Sequence, residues 1–121
     1  MGDLIWDEGQ ILDEFYGDED ILLETCETFL EVYKDHLTSI RQKQADQDFL
    51  ALSEEAHSIK GMVSYFNKNV VLKAAKLIEV KGREGEYSSK DDAEQDIVSL
   101  EENMEVLCDY MRDFLKRQKA V

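Results

Sequence analysis

Apolar residues recur at intervals of three and four along most of this 121-residue chain, and that spacing constrains the fold more than any other feature. Such intervals line up side chains on one side of an α-helix, whereas a half-buried strand would alternate them. Three runs hold the pattern over several turns. They are Leu22, Cys26, Phe29, Tyr33, Leu37 and Ile40; then Phe49, Leu52, Ala56, Ile59, Val63 and Phe66; and finally Ile97, Leu100, Met104, Leu107, Met111 and Phe114. A shorter helix is expected to start near Asn69 and to bury Val71, Ala74, Leu77 and Ile78. Proline would break a helix interior, and the chain contains none.

The breaks between runs carry helix-end chemistry. Asp18, Glu19 and Asp20 follow Gly17 and place negative charge at a helix start. The stretch from Gln44 to Gln47 ends that helix, with Asp46 the expected cap of the next. Gly82 through Ser88 reads as a loop by its glycines, and Ser89 with Asp92 three residues on opens the last helix as a capping box. The expected fold is all-α: an antiparallel four-helix bundle over residues 18–119. Residues 1–17, with Trp6, Ile11, Leu12, Phe15 and Tyr16, are expected to form an N-terminal arm or short helix across one end.

Charge and composition narrow the function. A net charge of −14 opposes binding to nucleic acid or to an anionic membrane. No apolar run approaches the roughly 20 residues that span a bilayer. The start of the chain lacks the basic and apolar pattern of a signal peptide, and Trp6 stands where a myristoylation signal wants Ser or Thr. Cys26 and Cys108 form no disulfide framework or metal motif. A cytoplasmic monomer is the expectation. The charge is also uneven: residues 56–83 hold Lys60, Lys68, Lys73, Lys76, Lys81 and Arg83 against the single acid Glu79. That segment is +5 and the remainder −19, so something anionic is tolerated near it.

Two histidines are the candidates for chemistry. With about 100° per residue, His36 falls about 60° from the centre of its stripe, at the margin of the core, where a packing or surface role is expected. His57 falls about 130° from its stripe and should face solvent. Leu50, Ser53, Gly61, Ser64, Tyr65 and Lys68 share its side of the helix and form a candidate partner-binding face. A mid-helix glycine costs about 0.5–1 kcal/mol relative to alanine, so Gly61 suggests that something must approach closely. Lys60 is one turn from His57; its ammonium would favour the neutral, nucleophilic imidazole and could offset a bound negative group.

The string His57-Ser58-Ile59-Lys60-Gly61, preceded by Ala56 and followed by Asn67 and by the pair Ile78-Glu79, resembles the His-x-x-Lys-Gly signature of histidine-containing phosphotransfer (HPt) domains. The likeness extends from about Phe15 to Phe114; Asn67 stands where a glycine is usual, and Met62 and Tyr65 are bulkier than the small residues often found there. The resemblance implies a phosphorelay intermediate: His57 accepts a phosphoryl group from a receiver-domain aspartate and passes it to another receiver, with Lys60 stabilising charge. Its implied partners are response-regulator receiver domains or a hybrid sensor histidine kinase. No metal site or cofactor of its own is implied, since magnesium would sit on the receiver. No ATP-binding motif occurs, so the chain reads as a phosphocarrier and not as a kinase. Two alternatives compete: a binding-only helical adaptor of HPt-like fold, and a histidine-kinase dimerisation domain. Ser58 disfavours the latter, which resembles a pattern with an acid directly after the histidine.

Overall fold

The computed structural model describes residues 6–66 and 70–119; Asn67, Lys68 and Asn69, to which the sequence assigned a helix end, a face residue and a helix start, lie outside the described residues. The elements are α1 (Glu8–Glu14), α2 (Glu19–Ala45), α3 (Phe49–Val63), a 3-10 turn (Ser64–Phe66), α4 (Val70–Arg83) and α5 (Lys90–Lys119). Each of the first three helices starts on an aspartate. Asp7, Asp18 and Asp48 accept hydrogen bonds from the N–H groups of Gln10, Ile21 and Ala51 at 3.2, 3.1 and 3.1 Å. The cap of α3 is therefore Asp48 and not Asp46, which instead closes the C-terminus of α2. The α2 helix runs on to Ala45 because Gln44 is buried, donating to Lys90 O and Glu94 Oε1 at 2.9 Å each.

Three helices end alike. Gly17 N–H donates to Leu12 O and Tyr16 N–H to Asp13 O; Asp48 and Gln47 do the same to Lys43 O and Gln44 O, and Glu86 and Gly85 to Lys81 O and Gly82 O. This paired motif places one residue in the left-handed region, here Tyr16, Gln47 and Gly85 with φ of 55, 54 and 70°.

Helices α2 and α4 each pack against both α3 and α5, closing a four-helix ring. Cross-links set α2 antiparallel to both α5 and α3, and a further one ties α4 to α5. Tyr33 meets Glu105 while Arg41 meets Glu101 and Glu94; Phe29 meets Phe66 while His36 meets Glu55; and Lys81 meets Asp96 across α4 and α5. The stripes of α2, α3 and α5 point inward, with Leu37 and Phe49 only partly buried. No described helix is long and apolar enough to cross a membrane.

Helix α4 departs from its expected register. It buries Val71, Ala75, Ile78, Glu79 and Gly82, whereas Ala74 is only partly buried and Leu77 is 47% exposed. The cause is Gly82, which belongs to the helix and not to a loop. A Cβ there would lie 2.7 Å from Phe49 O and 3.1 Å from Ser53 Cβ. Only a glycine lets α4 lie this close to the first turn of α3, and that contact turns Leu77 outward. Beyond it, Tyr87 returns the chain to the core: its ring packs 5.7 Å from Phe49 and its hydroxyl donates to Asp96 at 2.8 Å.

At the opposite end of α3, aromatic side chains close the bundle. Trp6 packs on Phe66, Tyr110 and Phe114, and Phe15 touches Phe66 and Tyr65. Helix α1 buries Ile11 against this end and is tied to α5 by the Glu8–Arg117 ion pair at 2.7 Å.

Candidate functional site

Residue 57 lies one position past Ala56, a core residue, so the α-helical advance carries its side chain to the outer side of α3. The His57 side chain is 67% exposed, yet one ring nitrogen is held. Its Nδ1 lies 2.5 Å from Glu79 Oε2, contributed by α4. Lys60, one turn along α3, reaches the other oxygen of the same carboxylate at 2.8 Å. Arg83, one turn along α4, stands 3.8 Å from Oε2. Glu79 is only 8% exposed, and a carboxylate with so little water needs partners on both oxygens. It has them. Burial pushes its carboxyl up, but hydrogen bonds from Lys60 and His57 outweigh that and hold it below the ordinary value.

An ionised Glu79 only accepts, so the proton of the neutral imidazole resides on Nδ1. The Nε2 lone pair is then free and faces solvent. Lys60 and His57 converge as their spacing suggests, but they meet on Glu79 and not over the open edge of the ring.

His57 opens onto a cleft of about 540 Å³ between α3 and α4, lined also by Leu50, Ser53, Glu54, Ser58, Glu79 and Arg83. Leu50 and Tyr65 are both exposed, at opposite ends of the helix face. Gly61 is exposed, and a Cβ built on it meets nothing within 4 Å, so internal packing does not require a glycine there. Ser64 is exposed, its hydroxyl donating to Gly61 O at 2.7 Å. Ser53 is a correction to the expected face: it is 4% exposed, donates to Leu50 O at 2.8 Å and lies beneath Gly82. The close approach of α4 broadens the buried arc of α3 and takes Ser53 into it. Lys68 lies outside the described residues.

Two functional candidates escaped the sequence reading. Glu79 carries no assigned role there, and Arg83 only contributes to a charge count. The signal that could have found Glu79 is its isolation, one acid among six bases, together with its place in the Ile78-Glu79 pair. His36 is less exposed than His57 and pairs through Nδ1 with Glu55 at 2.8 Å, joining α2 to α3. Cys26 and Cys108 are buried, and burial pushes both thiols up to about 12, which removes them from thiolate chemistry at neutral pH.

An outward imidazole with one nitrogen tied to a buried carboxylate, set on a four-helix ring, agrees with the resemblance. The family model of the Hpt domain matches residues 24–113. The chain belongs to the Hpt domain family. The matched span starts within α2 and ends within α5, so it takes in all four helices of the ring and the His57–Glu79–Lys60 cluster. Hpt domains are histidine-containing modules capable of phosphotransfer in phosphorelays, carriers and not kinases, that interact with receiver domains and kinases. No curated protein and no solved structure matches the chain.

Proposed function

We propose that His57 takes a phosphoryl group from the aspartate of one receiver domain and delivers it to the aspartate of another. The observation that carries this reading is the pairing of Nδ1 with Glu79 while Nε2 stays open. The Nε2 lone pair attacks phosphorus, the new N–P bond forms, and the P–O bond to the aspartate breaks with its electrons left on that carboxylate. The ring gains positive character as the N–P bond forms, and Glu79 stabilises it through the Nδ1–H bond. Delivery is the reverse of the same exchange. Such a transfer asks chiefly for position and charge compensation.

In this reading Lys60 keeps Glu79 ionised and aimed at the ring. Arg83, exposed and lining the same cleft, is the cation best placed to offset the phosphoryl oxygens on Nε2. Gly61 leaves room for the receiver's backbone, and Leu50 and Tyr65 supply apolar contact on either side. Magnesium would come with the receiver's acidic pocket.

The test is to mix the protein with a phosphorylated receiver and look for an acid-labile, base-stable label on this chain. His57→Gln should lose the label while remaining helical, and His36→Gln should keep it. Label retained in His57→Gln would refute the proposal; a folded wild-type chain that binds the receiver but never takes label would leave a binding adaptor.

A further inference from the structure

In the basic segment around His57, most of the cations on α3 and α4 already have an acid beside them. Lys60 and Arg83 stand 2.8 and 3.8 Å from Glu79, and Lys81 stands 3.1 Å from Asp96. Lys76 differs. It is exposed and forms no ion pair with any described residue, although acids outnumber bases 28 to 14 in the chain. The acid three residues on is Glu79, whose two oxygens are taken by His57 and Lys60. The residue three before is Lys73, a like charge one turn away, which is unfavourable on a helix surface. The fold therefore gains no ion pair from this ammonium, and a charge left open at such a place suits a partner from outside the chain.

The helix contacts place Lys76 relative to His57. Gly82 lies against Phe49 and Ser53, and Glu79 against His57 and Lys60, so α3 and α4 run antiparallel. One turn further back along α4, Lys76 comes level with the turn of α3 that holds Gly61 and Ser64. Around the α4 axis it lies about 60° from Glu79 and about 20° from Arg83. Arg83 lines the cleft beside His57, so Lys76 stands on the same outward side of α4. Along that axis it is about 4.5 Å from Glu79, whose carboxylate holds the imidazole. A protein that covers about 800 Å² of each partner has a footprint about 16 Å in radius. Centred on His57, it covers Lys76 and Arg83 together.

We propose that Lys76 binds the acidic pocket of the docked receiver, pairing with a carboxylate on the rim around its phosphoaspartate. This rests on the phosphotransfer reading above and assigns a residue that selects among receivers. The other nearby cations have different work: Lys60 holds Glu79, and Arg83 meets the phosphoryl oxygens. Lys76 stands instead beside Gly61, where the partner's backbone comes closest. Charges at the rim of an interface act chiefly on encounter and on the choice of partner. A receiver with an acid at this point is favoured, and one with a base there is turned away.

The experiment follows transfer from a phosphorylated receiver to the full chain in wild type, Lys76→Ala, Lys76→Arg, Lys76→Glu and Lys34→Glu. Lys34 is also exposed, but it lies two turns before Arg41 on the side of α2 that meets α5, across the ring from the α3–α4 seam. At about 0.01 M salt, Lys76→Ala should raise KM about fivefold and Lys76→Glu about twentyfold, with the rate at saturating receiver unchanged. Lys76→Arg keeps the charge and should keep KM near the wild-type value. The effect of Lys76→Ala should fall below about twofold near 1 M salt, where charges are screened within about 3 Å. Melting temperatures should stay within about two degrees of wild type, because no internal ion pair is lost. An unchanged KM in Lys76→Glu, or an equal rise in Lys34→Glu, would overturn the assignment and leave the phosphotransfer reading intact. A Lys76→Ala chain that melts early and loses rate in proportion would make Lys76 a packing residue and overturn it too. Absence of transfer in wild type would instead strike the phosphotransfer reading, and the assignment with it.

Discussion

At the scale of single residues, two helical glycines separate packing from function. Gly82 is buried with α3 backbone and the Ser53 side chain against it, while Gly61 has open space where a side chain would go. Replacing Gly82 by alanine forces α4 away from α3 and should cost about 1–3 kcal/mol in chemical denaturation. Replacing Gly61 by alanine removes a helix-weakening residue and should stabilise by about 0.5–1 kcal/mol. Equal effects at the two sites would contradict the assignment of Gly61 to a docking role. The imidazole follows the same logic. Its position on the outside of α3 was readable from the angle between residue 57 and the stripe. The identity of its partner was not, because Glu79 comes from another helix whose rotation is set by Gly82.

At the scale of helices, the bundle is tied across its seams by carboxylates that meet bases. Glu79 links α4 to α3 and Glu55 links α3 to α2. For both, burial pushes the carboxyl up, but hydrogen bonds from Lys60 and His57, or from His36 and Ser39, leave it below the ordinary value of 4.5. The folded chain then binds fewer protons than the unfolded one near that pH. Their contribution to stability is present above about pH 4.5 and is lost as pH falls through the lower folded values. The melting temperature should drop most steeply below that point, and Glu79→Gln should flatten the drop. A profile unchanged by the substitution would show that the pair does not couple to folding. The stripes of α2, α3 and α5 were legible because each long helix has one apolar side. Helix α4 was not, since Val70, Val71, Leu72, Ala74, Ala75, Leu77, Ile78 and Val80 offer apolar residues around much of its girth. Only contact with α3 chooses among them.

At the scale of the whole molecule, a strongly acidic chain keeps its most basic segment, residues 56–83, where α3 and α4 face each other around His57. Within it, Glu79 is ringed by Lys60, Arg83 and the imidazole itself, so the segment's only acid serves to hold the ring. Of these cations Arg83 is the most loosely held, 3.8 Å from the carboxylate, and it lines the cleft that an incoming anion would enter. The proposed transfer turns on a single ring: Glu79 occupies the Nδ1 of His57, which leaves Nε2 as the proposed phosphoryl acceptor. Nitrogen-15 and phosphorus-31 NMR of the chain, phosphorylated by a receiver, tests it directly. A single phosphohistidine substituted at Nε2 of residue 57 is the result expected. Phosphorus on Nδ1, or on His36, would contradict the account.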